Sequence, residues 1–311
     1  MSTTVVTPEV KPKQKADIWE QALLLNVSRK WPSLSKTVKS TDVQVDADKR
    51  RIHVTKDLFN SKALKSLFSY DQRIDDFIYR RCTPFPMKRG MYVLAIDLFD
   101  EVENELVNHE AGRVPLIDAC YEAYDKDLED AKQALGALFD PTDYIPKERF
   151  KQAFAFEWDW VKFGVDERLE KMSKDVAQRQ ADKMAKKWIE AGEAAEKVLF
   201  TSFSELVAHL NDRLSPGTDK DGNPTKKTFR DSLLDNVQDF LKVIKSRNLT
   251  GNEELNSLAD QARALTSGIT PDMLRTNDSM REAVQKGFAT IKEQLDRAVV
   301  DASARIVRFE D

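Results

Sequence analysis

The chain has 311 residues, with 49 Lys and Arg against 53 Asp and Glu, a formal net charge of −4 and a pI near 5.7. At 41% hydrophobic and 33% charged residues it has enough apolar material for a core and the charge that long solvated helices carry, which excludes wholesale disorder. Mean hydropathy is −0.54, and no apolar run approaches the roughly 20 residues of a bilayer crossing, so no membrane role is expected.

Met1 to Val10 has neither the basic start nor the apolar centre of a signal peptide. Cys82 and Cys120 are the only cysteines, too few for a disulfide framework and in keeping with a reducing cytoplasm, although one bridge stays open. Cys120 lies in an apolar helical pattern, so the expectation is two small buried hydrophobes.

In chain order, residues 1–15 mix Pro, Lys and Thr without periodicity and read as a disordered tail. From Asp17, Trp19, Leu23 or Leu24, and Val27 fall at helical spacing up to Trp31-Pro32, predicting a short docking helix. Val43 and Val45, then Ile52 and Val54, alternate with polar residues around DADKR and predict a small hairpin. Leu64, Leu67, Tyr70, Ile74, Phe77 and Ile78 predict a helix that CTPFPMKRG ends. Two more helices are expected over 91–108 and 114–139. In RFKQAFAFEWDWVKF the rings of Phe154, Phe156, Trp158 and Trp160 take every second position, which a strand would gather on one face and a helix would scatter. Residues 153–161 are therefore expected to be the third strand of a sheet with the 43–54 hairpin.

After Gly164 the apolar residues from Val165 to Leu210 recur at spacings of three and four, predicting a helical rod of roughly 70 Å. Its partners are expected in the stretches containing Phe229 to Ile244 and Met280 to Ile306, with residues 215–227 as a hairpin tip and a shorter helix over 253–266. The division expected is a tail over 1–15, an α-rich domain with a small antiparallel sheet over 16–163, and a long antiparallel helical rod over 164–311.

Chemical motifs are few. No glycine pattern forms a phosphate cradle, and His53, His109 and His209 are isolated from one another and from cysteine, leaving zinc without ligands. The acidic helices lack the paired Glu-x-x-His of a di-metal site. DKDGN over 219–223 copies part of a calcium loop without its glutamate and reads as a turn. Ser33-Leu34-Ser35-Lys36 matches Ser-x-x-Lys with no companion motif. Arg50, Arg51, Arg80, Arg81, Lys88 and Arg89 are the candidate nucleic-acid contacts, which would converge beside the aromatic strand; the acidic balance of the whole chain argues against that use. The ladder Phe154, Phe156, Trp158 and Trp160 either seals a sheet onto helices or presents a partner-docking surface.

The stretch from Asp48 to Leu169 contains the basic-Gly-aromatic start Lys88 to Tyr92, the block Leu135 to Tyr144 and the aromatic segment 154–163. On these it resembles a family of unknown function spread among bacteriophages, plasmids and integrated elements. The resemblance covers about 40% of the chain and brings no activity or catalytic residue with it. It implies a neighbourhood of MoxR-like AAA+ ATPases and von Willebrand A-domain proteins, and thus a place in the host cytoplasm beside one of them. Composition and resemblance together lead to the expectation of a mainly α, non-enzymatic adaptor without metal or cofactor, acting by protein binding or self-association through the rod.

Overall fold

The computed structural model describes residues 22–39, 51–85, 88–162, 168–218 and 224–307. The expected tail, the hairpin arm at Val43 and Val45, and the DKDGN turn lie outside them.

The fold is mainly α with small antiparallel β elements. Its elements are β1 (Ala22–Lys30), β2 (Ser35–Val38), β3 (Val54–Asp57), α1 (Lys62–Arg81), β4 (Thr83–Pro84), β5 (Met91–Ala95), α2 (Phe99–Leu135), α3 (Lys147–Phe150) and β6 (Ala155–Val161), followed by α4 (Arg168–Met172), α5 (Lys174–Leu214), β7 (Pro216–Thr218), β8 (Pro224–Lys226), α6 (Asp231–Arg247), α7 (Glu253–Thr266), α8 (Pro271–Thr276) and α9 (Asp278–Val307).

Four strands pair in the order β4-β5-β1-β6, with Thr83 opposite Val93 between β4 and β5. A separate antiparallel ladder sets β2 against β3, with Ser35 opposite Asp57 and Val38 opposite Val54.

Three expectations are corrected. Ala22–Lys30 is a strand, not the end of a docking helix. It lies between two neighbours in its sheet, and a strand covered on both faces reads as a continuous apolar run, here Leu23 to Leu25, instead of alternating. Met91–Ala95, expected to open a helix, is the other inner strand and is nearly all buried for the same reason. The aromatic segment is a strand as expected, but it pairs with β1, while Val54 pairs with Val38 in the other ladder.

A fourth difference lies in α2, a single helix through Pro115 where two were expected. Proline leaves the carbonyl four residues back without a donor. Ala111 and Pro115 are both exposed, so the interruption falls on the solvent-facing side of α2 while His109 and Arg113 stay packed.

The described chain gathers into two compact units, each discontinuous in sequence. One comprises residues up to Leu24, Arg80–Leu98 and Val161 onward. Its core is helical: Leu199, Phe203, Val207, Leu210 and Leu214 of α5 pack with Leu233, Val237 and Leu241 of α6, Leu255 and Leu258 of α7, and Phe288, Ile291 and Leu295 of α9. Ser204 donates to Asp296 and Gln285 to Asn211, so positions rise along α5 as they fall along α9 and the pair is antiparallel. The predicted rod is thus present, interrupted at Ser173, whose hydroxyl accepts the Val176 N–H and caps α5. The buried Arg281 guanidinium donates to the carbonyls of Arg213 and Leu214, closing the C-terminus of α5.

The second unit holds Leu25–Tyr79 and Phe99–Trp160. Leu58, Phe59, Leu64, Leu67, Cys120, Tyr124, Tyr144, Phe150 and Phe154 form its core.

Candidate functional site

In the second unit α1 and α2 meet around a buried charge cluster. Asp71 on α1 is 1% exposed, and His109 and Arg113 on α2 are each 3% exposed. Arg113 Nε donates to Asp71 Oδ1 at 2.9 Å, and His109 Nε2 lies 3.0 Å from the same oxygen. Arg29 of β1 reaches Asp71 Oδ2 at 3.6 Å and clamps Asp75 with both Nη atoms. The Phe156 ring lies under both guanidiniums, at 5.5 Å from Arg113 and 5.8 Å from Arg29, a cation–π arrangement in a dry setting.

This cluster orders the core; it has the look of a catalytic dyad without the access. Tyr70 stacks on the His109 ring at 4.5 Å and Phe156 meets it edge-on at 5.0 Å. Among the described residues no Ser or Cys hydrogen-bonds His109, and Asp71, His109 and Arg113 line neither the groove at Lys62 and Arg73 nor the one at Lys56 and Asp127. Sequence reasoning missed the cluster because each member is one charged residue on an amphipathic helix, and only packing puts them on facing sides.

The aromatic ladder divides. Phe154 and Phe156 are buried, which removes them from the docking surface considered above. Trp158 and Trp160 are half-buried, and both indole N–H groups donate to one oxygen, Glu103 Oε2, at 3.0 and 2.8 Å. Trp160 also packs on Phe99. The ladder seals the strand onto α2, with Glu103 as the polar anchor of its last two rings.

The basic candidates also separate. Arg50 lies outside the described residues. Arg51 is exposed and belongs to the second unit; Arg80, Lys88 and Arg89 are exposed and belong to the bundle unit. Arg81 is committed: its two Nη atoms donate to the Asp239 carboxylate at 2.9 and 3.0 Å and hold that carboxyl below its usual range. Of the candidate nucleic-acid contacts among the described residues, Arg81 is thus the one engaged in an ion pair within its own unit. Ser33 donates to the Ser35 carbonyl, while the Lys36 ammonium pairs with Asp143 at 3.1 Å, so the two groups are engaged with different partners. Burial pushes the Cys82 thiol up to about 12 and the Cys120 thiol to about 11, as expected of packing residues. Among the described residues no group of three or more His, Cys, Asp or Glu is placed to hold a metal, and no helix is long and apolar enough to cross a membrane.

The first half of α5 is the exposed element of the bundle unit. From Lys174 to Glu190 no residue is buried, whereas Ala191, Ala195 and Leu199 are. The hydrogen-bonded register with α9 explains the change: it carries Val307, the last described residue of α9, alongside about residue 193. The 17 residues before Ala191 therefore run about 25 Å past the described end of that partner. Ala177, Ala181, Met184 and Trp188 continue the row of Ala191 and Ala195 at spacings of four and three. Trp188 is anchored on Phe85 at 5.4 Å, and Met172 and Ile189 beside the row are 81% and 39% exposed. The sequence carried the row itself; what it lacked was the point where α9 ceases to cover it.

No family model, no curated protein and no solved structure matches the chain.

Proposed function

We propose that the protein is a non-enzymatic adaptor that recognises a helix of a partner protein through the first half of α5. The observation that carries this reading is the apolar row of Ala177, Ala181 and Met184, which continues a core seam beyond the described end of α9. A helix laid there would extend the antiparallel packing that α9 supplies from Ala191 onward, and Lys174 and Lys187, within about 90° of the row on the helix circumference, favour an acidic partner face.

The family resemblance makes a MoxR-like AAA+ ATPase or a von Willebrand A-domain protein the first partners to try, in a bacteriophage or other mobile-element setting; a second copy of this chain is the third. Light scattering over a concentration series, and titration with each purified candidate, test the reading. Binding to one of them that Ala181→Glu with Met184→Glu weakens at least tenfold, with helix content unchanged, supports it. A monomer that binds none of them, or binding indifferent to the double variant, overturns it.

A further inference from the structure

We infer that α1 carries a second binding site, a cationic groove for a linear run of phosphate groups. Lys62, Lys65, Ser66, Ser69, Tyr70 and Arg73 line a groove of about 580 Å³ whose far side is Leu116 of α2. At 100° per residue these six positions fall within about 140° of helix circumference, and from Lys62 to Arg73 they span about 16 Å.

The three cations have no acidic partner among the described residues, unlike Arg29, Lys36, Lys56, Arg113, Lys147 and Lys151 of the same unit, each held by an aspartate. In a unit with 17 Lys and Arg against 23 Asp and Glu, these three cations on one face of α1 make a local positive patch that an anion from outside can satisfy. Their spread along the helix axis suits several phosphates in a row better than one phosphate at a point, and the Ser66 hydroxyl lies between them as a further donor to a phosphate oxygen, while Ser69 already donates to the Lys65 carbonyl.

No ring in the groove offers a free stacking face. Tyr70 is stacked on His109 and has the Arg73 guanidinium 6.0 Å from its centroid. The site therefore holds phosphate and reads no base, and the acidic surroundings confine it to low ionic strength. This inference is independent of the helix-docking reading, since α1 and the first half of α5 share no residue.

Fluorescence anisotropy with a labelled 20-nucleotide oligo-dT, and competition by inorganic polyphosphate of equal phosphate number, test it. Binding should weaken with salt with a log–log slope near −2, three contacts at about −0.7 each. Lys62→Gln, Lys65→Gln and Arg73→Gln together should lower affinity at least tenfold and flatten the slope, while Arg51→Gln with Lys88→Gln and Arg89→Gln leaves both unchanged. Displacement by polyphosphate assigns the phosphate chain alone, and its failure assigns a nucleic-acid strand. Absence of binding to either probe at about 20 mM salt, or loss only in the second set of variants, overturns the inference. The six substituted residues are all exposed, and circular dichroism of the variants should match the wild type.

Discussion

With a single carboxylate, Asp71 answers the Arg113 Nε and the His109 Nε2 inside the α1–α2 contact. Replacing it by alanine strands a buried guanidinium, and truncating one side of a buried pair costs about 3–5 kcal/mol. Urea denaturation should therefore show Asp71→Ala to be among the most damaging single changes in the second unit. Glu103 acts on a smaller scale: Glu103→Ala leaves two half-buried indole N–H groups without their acceptor, for a loss of about 1–3 kcal/mol and a red-shifted tryptophan emission, whereas Glu103→Gln keeps an acceptor oxygen and recovers part of both. Gly112 is fixed by contact. A Cβ there would lie 1.9 Å from the Tyr70 hydroxyl, so Gly112→Ala must push Tyr70 off His109. A double variant with Tyr70→Ala should then be less destabilised than the two single effects added together. None of these partners was legible beforehand, because a lone Asp, Glu or Gly on a helix carries no record of what faces it.

Among the elements, those with one solvated face announced themselves and those covered on both faces did not. The edge strand β6 kept its alternation and was read as a strand; the inner strands β1 and β5 were read as helix because burial on both sides removes the alternation. The helices of the bundle were legible from their stripes, α7 to the residue, since Glu253 follows the capping Asn252 and Thr266 precedes Gly268. How closely they pack was not. Gly287 of α9 sits where a Cβ would meet the Leu265 methyls of α7 at 2.6 Å. Gly287→Ala should cost about 1–3 kcal/mol by overpacking, and Leu265→Ala in the same chain should return part of it, read as a shift in urea midpoint.

For the molecule as a whole, the bundle is not a C-terminal fragment. Arg247, 4% exposed, donates to the carbonyls of Arg80 and Cys82, and Asp239 is clamped by Arg81. A chain beginning at residue 164 deprives a buried guanidinium of both acceptors, and it should fail to show a cooperative transition in urea. The Arg81 clamp also sets a pH dependence. Asp239 is held below its ordinary value of 3.8, so its stabilisation is complete above that value and is lost as pH falls through the depressed one. The urea midpoints of the wild type and Asp239→Asn should differ at about pH 7 and converge only as pH falls below 3.8.

The sequence by itself determined the helical class, the long α5 and its partners, the edge strand and the row of apolar residues on the first half of α5, because each is a periodic pattern written along one element. Tertiary structure alone decided that α2 runs unbroken through Pro115, that Ala22–Lys30 and Met91–Ala95 are inner strands, that Arg81 is already paired, and that Asp71, His109 and Arg113 converge. Those outcomes depend on what lies across from a residue, and solvation on the far side of an element leaves no mark in its own spacing.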